Sequence, residues 1–362
     1  MSHLQKPGCE PIVIFVQLFQ QRRTRGNPQS CRRRVFLQRM HGNQLLKLWS
    51  LMKINHITIG TRGSQLALWQ ANWVKAALIE KHPGLSVDLL IIKTKGDKIL
   101  DVPLAQVGGK GLFVKEIEDA ISDRRIDLAV HSMKDMPAEL PAGLCISAIP
   151  EREDPKDVLI SRKGLTLSQL PIGAKIGTCS LRRAAQMKHL RPDVEILSLR
   201  GNLDTRLKKL ETEGLDAVIL AAAGIRRLGL DHRITQYLDE SVMLPAVGQG
   251  ALCIESRLDD PDIFPIISAL DHLPTRIVVS GERAFLNRLE GGCQVPIAAH
   301  GNINGDIFTI SGLVADIDGK TLIKDTLSGS ASESEAIGIR LAERLLSLGA
   351  GNILETLTKS LT

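Results

Sequence analysis

The segment Gly291-Gly292-Cys293-Gln294-Val295-Pro296 sets a thiol beside two glycines. Glycines leave the backbone open around a neighbouring side chain, so Cys293 reads as accessible. An accessible cysteine in an electropositive setting serves as a nucleophile or an attachment point. A second group, His131-Ser132-Met133-Lys134-Asp135, closes an apolar run that begins at Ile126. An acid beside a lysine at a strand's C-terminal end can move a proton or stabilise a developing cation. Without context the same pair is a structural salt bridge. Arginines recur where strands give way to helices: Arg62, Arg182, Arg183, Arg200, Arg206, Arg226 and Arg227. The planar guanidinium fork suits carboxylates, and ligands of open α/β sheets bind outside the carboxyl ends of the strands. For any one arginine a solvated surface position is the simpler reading, and Arg206 also fits an ordinary helix surface. Gly108-Gly109-Lys110-Gly111 is a flexible basic loop that lacks the rest of a P-loop pattern.

Regular elements must hold these groups. Ile57–Thr61 reads as a strand running into Gly60-Thr61-Arg62-Gly63-Ser64. An apolar helical pattern follows through Leu66, Trp69, Trp73 and Ala77, with Ser64 as N-cap. Leu89–Ile92 reads as a strand, Leu112–Ile121 as a helix and Ile126–Val130 as a strand. The polar stretch Glu151–Pro155 marks a domain crossing. A second series then runs strand Lys175–Thr178, helix Ser180–Leu190, strand Val194–Leu199, helix Leu203–Leu210, strand Ala217–Leu220. This alternation predicts parallel sheets with covered faces. From about Pro274 the pattern changes to helix Arg276–Leu289, strands Ile297–Asn302, Ile307–Val314 and Thr321–Ser328, and helix Ser332–Leu348. The pairs Asn304-Gly305 and Asp318-Gly319 predict antiparallel hairpins, hence a third, α+β domain. The first two series share a motif: Gly60-Thr61-Arg62-Gly63-Ser64 matches Gly177-Thr178-Cys179-Ser180 with one residue fewer before the serine. Free N–H groups at a helix start favour anions, although each turn alone is an ordinary capped βα turn.

Composition limits the partners. At 43% hydrophobic and 24% charged, the 362-residue chain is globular in character. Its net charge of +6 points to a polyanion only if the folded body carries it. Nine of the 46 basic residues but one of the 40 acidic ones fall in residues 1–51, so residues 52–362 carry −2. A body of that sign is a poor nucleic-acid binder, and 3% aromatics give few stacking platforms. The arginines at strand ends then imply a local basic cleft for a small ligand with several carboxylates or phosphates. The six cysteines form no C-x-x-C pair, which argues for reduced thiols and an intracellular protein. Cys145 and Cys253 sit in apolar stretches and read as core residues. Residues 1–51 are Arg-rich, with an apolar run too short to span a bilayer. They read as a start assigned too far upstream, since Met52 directly precedes the first strand; an organelle transit sequence is the alternative.

Taken together, these segments resemble the porphobilinogen deaminase (hydroxymethylbilane synthase) family, from about Met52 to the C-terminus. The resemblance is carried by Thr61-Arg62 with Ser64 and Leu66–Gln70, Val107–Phe113, Ala129–Asp135, Glu151–Pro155, Gly177-Thr178 with Ser180–Arg183, Leu199–Asn202, Leu244–Gly250 and Leu289–Pro296. It implies an α/β fold of two periplasmic-binding-protein-like (type II) domains plus a small C-terminal α+β domain. Domain 1 would comprise residues 52–150 with about 251–270, domain 2 residues 156–244, and domain 3 residues 273–362 with the cofactor cysteine.

The resemblance also implies an activity: a transferase that condenses four porphobilinogen units head to tail into hydroxymethylbilane, releasing ammonia, in tetrapyrrole biosynthesis. The reaction is primed on a dipyrromethane cofactor held through a thioether, and Cys293 occupies the attachment position. Asp135 occupies the position of the catalytic acid. Arg62, Lys134, Arg182, Arg183, Arg200, Arg206 and Arg227 stand where the family's cations meet acetate and propionate groups, with Ser64, Thr178 and Ser180 as neutral donors and Lys110 on a loop near the cleft. No metal, nucleic-acid or membrane partner is implied, and a cytoplasmic monomer is expected. Two positions depart from the family pattern. Gln106 stands where lysine is frequent, and Cys179 stands where serine is common. The competing class is a non-catalytic small-anion-binding protein of the same fold, which explains the lobes and arginines but not the Gly-Gly-Cys segment.

Overall fold

The computed structural model describes residues 13–14, 38–39, 54–98, 114–289 and 295–361. Val13–Ile14 pairs antiparallel with Gln38–Arg39. From His56 onward the chain builds three sheets. The first stretch contributes β1 (His56–Thr61), helix α1 (Gln65–Lys81), β2 (Ser86–Ile91), α2 (Lys115–Ser122), β3 (Leu128–Ser132) and β4 (Leu144–Ala148). The next contributes β5 (Asp157–Ser161), β6 (Lys175–Gly177), α3 (Leu181–Leu190), β7 (Glu195–Leu197), α4 (Leu203–Thr212), β8 (Ala217–Ala221), α5 (Ala222–Arg227) and β9 (Gln236–Leu238). Then come β10 (Leu252–Arg257), α6 (Phe264–Ser268) and α7 (Leu273–Arg288). The chain ends with β11 (Ile297–Asn304), β12 (Ile307–Ala315), β13 (Leu322–Ser330), α8 (Ser334–Leu345) and α9 (Gly351–Leu361).

The first lobe's sheet has the order β2-β1-β3-β10-β4, and the second lobe's the order β7-β6-β8-β5-β9. Both read as second, first, third, crossing strand, fourth. The first three strands run parallel in each lobe, and the crossing strand is antiparallel to both neighbours. The sheets are therefore mixed, where strand–helix alternation predicts parallel ones. The difference comes from β5 and β10, which each follow an interlobe crossing rather than a helix. Both are continuous apolar runs, as strands covered on both faces must be: Val158, Leu159 and Ile160 in β5, and Leu252, Cys253 and Ile254 in β10, are buried. β5 carries the chain into the second lobe after Glu151–Pro155, and β10 returns it to the first after Leu244–Gly250.

These two crossings touch. Gly250 has φ +89°, and a Cβ there would strike the Glu153 carbonyl oxygen; at Gly248, with φ +67°, it would strike Met133. A side chain at Gly250 would force the connectors apart, and one at Gly248 would displace Met133.

The third domain is an antiparallel meander, β11-β12-β13, packed against α7 and α8 through Phe285, Phe308, Ile337, Leu341 and Leu345. The helix predicted over Ser332–Leu348 is α8, continued by a helical turn through Leu346–Ala350 in which Gly349 takes φ +104°; a further helix, α9, follows at Gly351–Leu361. One carboxylate ties this domain to both crossings. Buried Glu282 on α7 accepts from Arg152 at 2.7 and 3.2 Å, from the Gly248 N–H at 2.7 Å and from the Gly301 N–H at 2.8 Å. Burial alone would raise its pKa. Arg152 and His300 reverse that and hold it at about 2.

Candidate active site

Most of the described sequence-predicted residues lie at or just beyond the carboxyl ends of the parallel strands. In the first lobe β1 ends at Thr61, and Arg62 leads to Ser64, which caps α1 by accepting from the Ala67 N–H at 3.3 Å. The buried stripe Gln70, Ala71, Val74 and Leu78 holds α1 on the sheet. Gln70 also donates to Ser132 Oγ at 3.0 Å, fixing the last residue of β3. One 3₁₀ turn, Met133–Asp135, follows directly. Met133 is buried and donates its N–H to Ala251 O at 3.0 Å, whereas Asp135 is exposed.

In the second lobe the corresponding turn places Thr178 after β6 and Ser180 at the cap of α3. Thr178 Oγ1 accepts from the Ser180 N–H at 3.2 Å, and Ser180 Oγ accepts from the Arg183 N–H at 3.5 Å. Cys179 between them is exposed. Arg206 lies on α4 and donates Nε to Gly201 O at 2.8 Å, just beyond Arg200. Arg227 ends α5; it donates to Gly250 O at 2.7 Å and lies 5.8 Å from the centre of the Trp69 ring on the first lobe's α1. Burial draws its pKa down to about 10, against the pull of Glu153. Arg226 faces outward, paired with Glu153, Asp154 and Asp231.

Arg182 and Arg183 depart from the expectation of open ligand-binding forks. Both are buried, and both grip Asp157, the first residue of β5. Arg182 reaches its two carboxylate oxygens at 2.7 and 3.2 Å and also Leu244 O; Arg183 reaches Oδ1 through Nε at 2.9 Å and also Ile219 O. Burial would raise the Asp157 carboxyl, and the two guanidinium groups override it and hold it at about 2. One carboxylate between two guanidinium groups leaves a local charge of +1. The physical reason is desolvation: two like charges this deep cannot stand without a counter-ion.

The charges of the two lobes act on one another at Lys134. Burial and then Arg183 lower its pKa to about 8, while Asp135 and Asp157 oppose the shift and Arg182 adds to it. The physical bridge is Gln249. Its Oε1 accepts from Lys134 Nζ at 3.4 Å, and its Nε2 donates to Pro155 O at 2.6 Å and Asp157 Oδ1 at 3.1 Å. Asp157, Gln249, Gln70 and Trp69 are members of this site that residue-by-residue reasoning did not single out. The available signal for Asp157 was a lone acid opening an apolar run directly after the crossing. Lys110 and Cys293 lie outside the described residues.

Two α/β lobes of one topology carry cations at or near their strand ends, and an exposed acid, Asp135, ends the turn after β3. Two family models match the chain. "Porphobilinogen deaminase, dipyromethane cofactor binding domain" covers residues 57–264, and "Porphobilinogen deaminase, C-terminal domain" covers residues 277–347. The porphobilinogen deaminase of Geobacter metallireducens is 57% identical over 303 residues, 84% of this chain and 95% of that one. Those of Syntrophotalea carbinolica and Geobacter sulfurreducens are each 56% identical, over 84% of this chain and 97% and 95% of theirs. Among solved structures, a probable amino-acid transporter binding protein from Bacillus subtilis aligns over 60% of this chain and 90% of its own at 10% identity, with a TM-score of 0.38. The chain belongs to the porphobilinogen deaminase family.

The donors present fit the family's dipyrromethane group. Its acetate and propionate arms need guanidinium, ammonium and hydroxyl donors at strand ends, and that is the set assembled here.

Proposed function

We propose that the chain condenses four porphobilinogen units into hydroxymethylbilane with release of ammonia, and that the residues above carry the work. The observation that supports this best is the pairing of an exposed acid, Asp135, with a lysine whose electrostatic partners come from both lobes. The dipyrromethane group, attached through Cys293, supplies the pyrrole carbon from which the product chain grows.

Asp135 delivers a proton to the departing aminomethyl nitrogen, and its carboxylate then faces the positive charge left on the pyrrole. A positioned acid of this kind contributes roughly 10²–10⁴ in rate. Lys134, at a pKa of about 8, remains cationic at neutral pH and binds a carboxylate arm beside it. Thr178 and Ser180 offer hydroxyls at the start of α3, and Ser64 does so at α1. Arg62, Arg200, Arg206 and Arg227 hold further arms, and Lys110 joins them from its loop. Arg182 and Arg183 contribute their surplus charge and the N–H groups that Asp157 leaves over.

The domain division proposed is 52–150 with about 251–270, then 156–244, then 273–362; the return of β10 to the first sheet supports it. Among the described residues no helix is long and apolar enough to cross a membrane, and we place the enzyme in the cytoplasm as a monomer. The test is intact mass together with ammonia release from porphobilinogen. The protein should exceed its sequence mass by one dipyrromethane unit, and Cys293→Ser should remove the excess. An unmodified, fully active protein would refute the reading.

A further inference from the structure

Arg283 lies on α7, the helix that leads towards Cys293 in sequence, yet its guanidinium reaches into the first lobe. Nη2 donates to Pro137 O at 2.9 Å and to Ala138 O at 3.0 Å, and Nη1 approaches Met133 Sδ at 4.0 Å. These contacts bracket Asp135 on both sides. Upstream, Met133 is already pinned by its burial and its bond to Ala251 O, and Met136 is buried and closes the 3₁₀ turn onto Met133 O at 3.1 Å. Downstream no helix or strand forms until β4 begins at Leu144, with Leu140 packed against the cluster that holds Met133 and Met136. Among the described residues, Arg283 makes the only hydrogen bonds that reach residues 137–140 from elsewhere in the chain.

The choice of an arginine here is poor for stability. Among the described residues Arg283 forms no ion pair, and burial lowers its pKa, with Cys253 opposing. A partly buried cation satisfied by carbonyls alone gains little over an apolar side chain of equal length. What an apolar side chain cannot do is fix two consecutive carbonyls from one planar nitrogen.

We infer that Arg283 is a positioning residue for the reaction: it locks residues 137–138 to α7 and so holds Asp135 at a set distance from the helix that precedes Cys293. This rests on the reading of Asp135 as the acid. A shift of about 1 Å in such a group costs up to roughly 10²-fold in rate.

The test uses the full chain. Arg283→Met keeps the stem and removes the donors. It should load the cofactor normally by intact mass and unfold near the parent temperature. KM for porphobilinogen should stay unchanged while kcat falls by roughly 10- to 100-fold. In an Asp135→Glu background, where the carboxyl is already displaced, adding Arg283→Met should cost little more. Parent-like kcat in loaded Arg283→Met overturns the inference, as does a loss carried by KM, or a full further loss in the Asp135→Glu background. Should Arg283→Met fail to fold or load, Arg283→Lys decides by the same kcat-against-KM split. Its single nitrogen keeps the charge but not the fork, so a kcat loss at constant KM supports the inference and parent kcat overturns it. Normal ammonia release by Asp135→Ala would instead sink the reading of Asp135 itself. An inactive Asp135→Ala beside a fully active Arg283→Met sinks only the positioning.

Discussion

The two lobes share a sheet order, and each receives a crossing strand that carries a buried carboxylate, but at different depths. In the second lobe Asp157 opposes Ala221, the last residue of β8, so it sits at the strand ends beside the site. In the first lobe Glu255 opposes Ala129, in the interior of β3 and well short of its end at Ser132. Asp157 is fully engaged by two arginines. Glu255 meets His131 at 3.1 Å, while its second oxygen and Glu118 Oε1 on α2 have no hydrogen-bond partner among the described residues. One lobe thus spends its carboxylate on organising cations at the cleft. The other buries its carboxylates below the surface and leaves the acid at its own strand end, Asp135, open to solvent. The same scaffold thus presents buried cations from one side and an exposed carboxyl group from the other.

The sharpest way to break this contrast is to remove the open acid. Asp135→Ala should keep the fold and the cofactor mass and lose roughly 10²–10⁴ in turnover, read as ammonia release. Removing the buried one should act on stability instead. Asp157→Asn leaves two buried guanidinium groups uncompensated and should cost about 3–5 kcal/mol in denaturant unfolding; an unchanged midpoint would show the pair to be idle.

The first lobe's buried cluster should respond with the opposite sign. Burial, and then Glu255, raise Glu118 to about 7. Its stability contribution is therefore complete below the ordinary carboxyl range near 4.5 and is lost as pH rises through about 7. Glu118→Gln should stabilise the protein by about 1–3 kcal/mol at mildly alkaline pH and leave it unchanged in acid.

The lobes also differ in how they hold the third domain. The first is gripped by Arg283 through neutral carbonyls, whereas the second adds ion pairs to the contact of His189 with Gly319 O. His300 on β11 pairs with Glu240 at 3.2 Å and lies 3.5 Å from Glu282. Burial would lower its pKa, and Glu240 and Glu282 outweigh burial and raise it to about 9. That contribution is present below the ordinary histidine value of 6.5 and is lost as pH climbs through about 9. A pH scan of the unfolding midpoint should show the decline, and His300→Gln should flatten it. The smallest expected effect is at Trp69. Trp69→Leu removes a cation–π contact worth about 0.5–2 kcal/mol and should raise KM a few-fold by loosening Arg227.

Much of this was legible before the fold was seen. Ser64 and Ser180 cap the predicted helices, because a serine between a strand and an apolar period has few other uses. The two hairpins followed from Asn304-Gly305 and Asp318-Gly319, where the turn chemistry is local. The crossing strands were not legible as strands. β5 and β10 find their partners far along the chain, and no local period says which sheet an apolar run will enter. The same limit hid the partner of Arg182 and Arg183. Their residue type announced a carboxylate, and the fold supplied one from within the chain, Asp157, 25 and 26 residues away in sequence.

The central claim is that the second lobe's cations hold a carboxylate-bearing pyrrole chain while Asp135 protonates its leaving nitrogen. Ammonia release from porphobilinogen by parent and Asp135→Ala proteins of equal cofactor mass tests it most directly. The expected result is steady release by the parent and almost none by Asp135→Ala; equal release by both would contradict the claim.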